Sequence, residues 1–152
     1  METALQDQLV AVGRIALAAL LGFLIGWERE SHGSPAGDRT HALVALGAAS
    51  FTVLGNLLSS TDTSRIIQGI VAGIGFLGGG MIMREGMTVR GLTTAAGIWA
   101  VAALGVVVGR GEYLLGVALM ALILLILVWE RLPLVSRIGV HKRESQGTRE
   151  DT

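Results

Sequence analysis

"GIVAGIGFLGGGMIMRE", Gly69 to Glu85, contains Gly73-Ile-Gly75-Phe-Leu-Gly78, a literal G-x-G-x-x-G. A dinucleotide loop of that spelling follows a strand, opens a helix at its third glycine and meets an acidic residue about twenty positions on. Here Gly78 runs into Gly79 and Gly80, a poor helix start, and no Asp or Glu stands between Gly86 and Gly111. The motif lies instead inside the uncharged run Ile66–Met83, eighteen residues long. Similar runs cover Ala42–Thr61, Gly91–Gly109 and Tyr113–Trp129, and Leu9–Trp27 is broken only by Arg14. A bilayer core takes about 20 predominantly apolar residues, with a range of roughly 17–25. Five such segments cannot be hidden inside a globule of 152 residues. The fold class is therefore all-α, a polytopic integral membrane protein with five helices at about 9–27, 42–59, 66–83, 92–109 and 113–129.

Composition agrees. Half of the residues are apolar, 16% are charged, and mean hydropathy is +0.62. Net charge is zero, so nothing favours a nucleic-acid partner. The chain has no cysteine, which excludes disulfides, thiolate metal sites and a cysteine nucleophile. The leader METALQDQ is acidic where a secretory signal is basic, and WERE follows the first span instead of small residues, so that span is expected to stay in the mature protein.

Positive charge sets the orientation. With residues 1–8 outside, Arg29, Arg39, Arg84, Arg90, Arg131, Arg137, Lys142, Arg143 and Arg149 fall inside, nine against Arg65 and Arg110 outside. The expected topology is N-out and C-in. Residues 130–152 then form a basic cytoplasmic tail whose polar end reads as disordered. The two halves also invite a reading as a parallel duplication: GFLIGWERE…GDRTHALVALG is echoed by GFLGGGMIMRE…VRGLTTAAGIWAVAALG.

In lipid, glycine lets helix backbones approach closely and gain packing contacts. Gly69, Gly73, Gly75, Gly78 and Gly79, with Gly22/Gly26 and Gly105/Gly109, are expected to pack helices, with a helix break at Gly78–Gly80 as the lesser alternative. Arg14 lies near the outer end of the first span. It either snorkels to the surface or meets an interhelical partner, a carbonyl or Gln68. The inward loops concentrate polarity: Glu28, Arg29, Glu30, Asp38, Arg39, Thr40 and His41 in one, Arg84, Arg90, Thr93 and Thr94 in the other. Two helices begin there, with Thr40, Thr93 or Thr94 as candidate caps. Their N-termini beside arginine suit an anion or a partner. Internal pairing of Glu28 or Glu30 with Arg39 or Arg90 is the competing role. No catalytic signature appears, and His32, His41 and His141 lack metal-ligand spacing. The spans contain no carboxylate, which leaves the chain poorly equipped to conduct a divalent cation by itself.

Three stretches, GFLIGWERE, GDRTHALVALGA and GIGFLGGGMIMREGMTVRGLTTAAGIWAVAALG, resemble the transmembrane domain of the MgtC/SapB family of bacterial inner-membrane proteins, from about Leu9 to Val128. The resemblance implies growth under magnesium limitation and, in pathogens, survival inside macrophages. The family name suggests Mg²⁺ transport, while one member is thought to inhibit the membrane ATP synthase. The family's polar signature falls on Glu28, Arg29, Glu30, Arg39, Thr40, His41, Arg90, Thr93 and Thr94; Gly79 stands where alanine is frequent. Longer members add a soluble C-terminal domain.

The expectation is a non-enzymatic, multi-pass protein of the bacterial inner membrane, active in magnesium homeostasis or envelope stress by regulating another membrane complex. The alternatives are an oligomeric transporter of Mg²⁺ or another ion and a binder of anions or lipid headgroups at the inner face. No cofactor is expected; the metal question stays open, with Mg²⁺ as ligand or substrate. Expected partners are the lipid bilayer, a second copy in a homo-oligomer, a dimer being favoured, and another inner-membrane complex.

Overall fold

A computed structural model describes residues 2–58 and 60–129. The tail at 130–152, with its expected disordered end, lies outside the described residues. Five helices follow one another: α1 Glu2–Glu30, α2 Asp38–Leu58, α3 Ser60–Met81, α4 Leu92–Gly109 and α5 Tyr113–Val128. A short antiparallel hairpin, β1 Met83–Glu85 and β2 Thr88–Arg90, separates α3 from α4. α1, α2 and α4 are each long and apolar enough to cross a bilayer, and α5 is a shorter apolar helix.

Helix boundaries differ from the sequence expectation in four places, each for a local reason. α2 starts at Asp38 rather than near residue 42, because the Glu30 and Asp38 carboxylates take its first amides, so Asp38, Arg39, Thr40 and His41 are helical and not loop. α1 starts at Glu2 rather than near residue 9, because Ala, Leu and Gln between the two are good helix formers with no breaker among them. It also runs on through Glu28, Arg29 and Glu30, which the sequence assigned to a loop, and stops where Gly33 takes a φ of 71°. The Gly33 amide donates to the Glu30 carbonyl and the Ser34 amide to the Arg29 carbonyl, closing the last turn. α3 begins at Ser60, so the connection expected over Ser59–Arg65 is mostly helix. The helix also continues unbroken through Gly78, Gly79 and Gly80. The opening motif is mid-helix.

The loop expected near Arg84–Thr94 is in part a hairpin, with Met83 opposite Arg90, Arg84 opposite Val89 and Glu85 opposite Thr88. Gly86 takes the positive φ, 62°, that the first central position of a two-residue turn requires. Gly91 (φ 88°) then turns the chain into α4, where a Cβ would collide with the Met81 carbonyl.

α4 is the hub and touches every other helix. It is apolar all round, as a helix enclosed by others must be. Ala18, Leu21 and Ile25 of α1 meet Ala45 and Ala49 of α2, Val101, Leu104 and Val108 of α4, and Ile123 of α5 in one core. A second, smaller core joins Ala48, Ile98 and Ala102 to Ile74 of α3 and to Ala36 from the first loop. Many core members are small, so packing depends on backbone approach. A Cβ on Gly22 would lie 2.6 Å from the His41 carbonyl oxygen, and one on Gly26 2.5 Å from the Asp38 Cα. The outward faces are apolar: Leu114 is 86% and Phe76 84% exposed. Surfaces of that kind are stable against hydrocarbon and aggregate in water.

Candidate functional site

Most of the expected site residues lie at one end of the bundle, where α1 ends, α2 and α4 begin, and the first loop and the hairpin lie. Trp27 and Trp129 are exposed at the same end, a placement typical of a membrane–water boundary. Within this end the described residues fall into an ion cluster, a capped helix start and a buried histidine.

Glu28 centres the ion cluster. Its side chain is only 12% exposed, with Arg29 Nη1 at 3.9 Å and His32 Nδ1 at 3.3 Å. Burial of a carboxylate is tolerated only with such company. His32 Nδ1 also lies 2.6 Å from the Glu28 carbonyl oxygen and 2.9 Å from Ser31 Oγ.

The start of α2 is capped from outside its own helix. Glu30 Oε2 accepts the Asp38 amide at 3.1 Å, and the Glu30 side chain packs against Gly37. Asp38 Oδ1 takes the Arg39 amide at 2.5 Å. The positive end of this helix, which the sequence offered to an external anion, therefore already holds two carboxylates of the chain itself. Thr40 sits inside the first turn and is not the cap. At α4 the cap is Gly91 with no side-chain hydrogen bond, so Thr93 and Thr94 do not cap either. Thr94 is buried and its Oγ1 lies 3.4 Å from Ser34 Oγ, tying the first loop to α4.

His41 is 1% exposed. Its Nδ1 lies 2.8 Å from the Gly37 carbonyl, which can only accept, so Nδ1 carries the proton. Nε2 is then a bare lone pair, buried and without a hydrogen-bond partner among the described residues, facing Gly97 of α4. No group of three His, Asp or Glu side chains able to hold a metal ion occurs among the described residues.

Other expected site residues are dispersed. Arg39 is exposed, and no carboxylate among the described residues takes its guanidinium, so the expected pairing with Glu30 is not made. Arg84 bends back to donate from Nε to the Gly86 carbonyl at 3.1 Å. Arg90 stands opposite Met83 in the hairpin.

Arg14, at the far end, donates from Nε to Tyr113 Oη at 3.2 Å and packs against Gly111. Its partner is the hydroxyl that opens α5, not Gln68. Three polar side chains within the spans bond to backbone: Ser50 and Thr52 donate to the Leu46 and Ala48 carbonyls, and Asn56 reaches the Gly109 carbonyl at 3.4 Å.

The glycines divide by helix. Gly22, Gly26, Gly105 and Gly109 meet neighbouring backbone at distances that exclude a Cβ. Gly69, Gly73, Gly75 and Gly79 have nothing within 4 Å, and Gly78 only Ala95, so on α3 the close packing expected of this stripe is not made within the chain. The physical reason is that α3 packs through Thr63, Ile66, Ile74 and Gly78, and Gly69, Gly73, Gly75 and Gly79 lie on its other faces.

Ser34, Ala36 and Tyr113 were not anticipated. For Tyr113 a signal existed: it is the chain's one tyrosine and opens a helix at the end where Arg14 needs an acceptor.

Fold and site together define an all-α integral membrane protein with a polar, partly buried end. The sequence model of the MgtC family matches residues 15–132. The chain belongs to the MgtC family. Among its relatives, Protein MgtC of Salmonella typhimurium is 56% identical over 97 residues, 63% of this chain and 42% of that protein. Protein MgtC of Brucella abortus is 52% identical over 98 residues, 64% of this chain and 41% of that protein. The matched stretch thus spans less than half the length of these relatives. No solved structure matches the chain.

Proposed function

We propose that this chain is a non-enzymatic regulator in the bacterial inner membrane, inserted N-out and C-in, that serves magnesium homeostasis and acts by contacting another membrane complex. One observation carries the preference for regulation over transport. Arg14, Ser50, Thr52 and Asn56 are held inside the fold, by Tyr113, i−4 carbonyls and the Gly109 carbonyl, and a groove between α2 and α3 is lined by apolar residues and glycine. A cation path needs acidic rings or ordered free carbonyls across the whole membrane. Ionic side chains stand at the two ends of the bundle rather than along it, and those of the end formed by Glu28, Glu30, Arg39 and Arg90 are the contact surface of this reading. Mg²⁺ enters as the condition sensed by the cell rather than as a cofactor: Glu28 and Glu30 already face Arg29, His32 and the Asp38 amide.

The decisive experiment is reconstitution into liposomes loaded with a Mg²⁺-sensitive dye. The expected outcome is no protein-dependent flux; a saturable flux would replace this function with transport. In cells, Glu28→Ala and Arg90→Ala are each expected to abolish rescue of growth in low Mg²⁺ while leaving insertion intact. Normal rescue by both would remove the polar end from the mechanism.

A further inference from the structure

Between α2 and α3 a groove of about 640 Å³ opens sideways from the bundle. Ala48, Ile74 and Ala102 line it on the bundle side, while Gly47 on α2 and Gly69 and Gly73 on α3 widen it. A Cβ at any of these three glycines would meet nothing within 4 Å. Glycine at this spacing on α1 (Gly22, Gly26) and α4 (Gly105, Gly109) is closed by a neighbouring helix; here it leaves a trough. Its α3 side runs from Ile66 to Leu77, about 16 Å at a rise of 1.5 Å per residue. That is about half of a hydrocarbon core some 30 Å thick, the depth of one leaflet.

The mouth of the trough supplies the second observation. Arg39 lies one helical turn before Leu43, the first groove residue on α2, at the level where the spans meet the polar end. It is exposed, and no carboxylate among the described residues neutralises it. An apolar trough of leaflet depth below an uncommitted guanidinium is complementary to one molecule class, a lipid with an anionic head and a long acyl chain. Arginine suits the head in particular, since its planar fork matches two phosphate oxygens. A helix from a second copy would fill the trough yet leave the guanidinium without a counter-charge.

We propose that the α2–α3 groove, with Arg39 at its mouth, is a binding site for an anionic phospholipid. The site requires only that the chain sit in a bilayer, so lipid capture and growth rescue fail independently of each other.

The test uses the full chain in detergent with phosphatidylglycerol, phosphatidylcholine and inorganic phosphate as separate probes. Native mass spectrometry is expected to show one retained phosphatidylglycerol in preference to phosphatidylcholine, and phosphate alone is expected to leave the melting temperature unchanged. Arg39→Gln is expected to reduce the preference about fivefold, the share one arginine contributes beside an anionic headgroup. Phosphatidylglycerol carrying a photoreactive group in its acyl chain needs no substitution, and its adducts are expected on Leu43–Phe51 and Ile66–Leu77. Equal retention of both lipids, an equal response to free phosphate, or adducts spread evenly onto Leu114 and Ile126 of α5 would overturn the proposal.

Discussion

At the residue scale, glycine plays opposite parts within one chain. Gly22 and Gly105 stand where a side chain would strike the backbone of α2, so a larger residue there must push helices apart. Gly22→Leu is expected to destabilise the bundle by about 1–3 kcal/mol, the usual cost of overpacking, read as a lower midpoint of thermal unfolding in detergent. Gly75 faces open space, and Gly75→Ala is expected to raise that midpoint, by about 0.4–1 kcal/mol, through loss of chain entropy in the unfolded state. A fall in stability for Gly75→Ala would show that α3 has a close neighbour at that face. Glu30 offers a third single-residue test. Its carboxylate meets the Asp38 amide, and Glu30→Ala is expected to cost about 1 kcal/mol, the typical worth of a helix cap. Glu30→Gln keeps an acceptor oxygen and is expected to recover much of the loss; identical midpoints for Ala and Gln would argue against the cap.

At the element scale, the packing of α1 explains how a charged residue survives in a span. The helix presents Ala18, Leu21, Gly22, Ile25 and Gly26 inward and carries Arg14 at its outer part, where Tyr113 of α5 accepts from the guanidinium. Tyr113→Phe is expected to lower stability by about 1 kcal/mol, the net worth of a partly solvated hydrogen bond. The accompanying check is hydrogen exchange at the start of α5, which should accelerate; unchanged exchange would mean that Arg14 snorkels without holding that helix. The hairpin between α3 and α4 shows a different relation to sequence. Its signal, Arg84-Glu85-Gly86-Met87-Thr88-Val89, is a two-residue turn with glycine first, flanked by residues able to pair. That signal was legible but overshadowed by the charges, which suggested a loop. The ends of α1 and α3 were not legible, because hydropathy marks where lipid stops, while a helix continues until glycine or a cap ends it.

At the scale of the whole molecule, the proposed N-out, C-in orientation rests on the sequence count of nine basic residues in the segments read as inward against two in those read as outward. A reporter fused after Thr152 is expected to be active in the cytoplasm; periplasmic activity would place the polar end on the wrong side for the proposed partner. The sequence by itself determined the solvent of this protein, the number of helices and the family, because each depends on the length and composition of apolar runs or on motif spelling. It also showed that ionic side chains gather near Glu28–His41 and Arg84–Thr94. Only the tertiary structure decided what those residues touch. Whether Glu30 meets an arginine or the start of α2, whether Arg14 finds Gln68 or Tyr113, and which glycines are covered all depend on the relative rotation and depth of helices. Those quantities are set by contacts between residues far apart in the chain, and in a lipid solvent the apolar pattern of a single helix carries little information about them, since its inward and outward faces are equally hydrophobic.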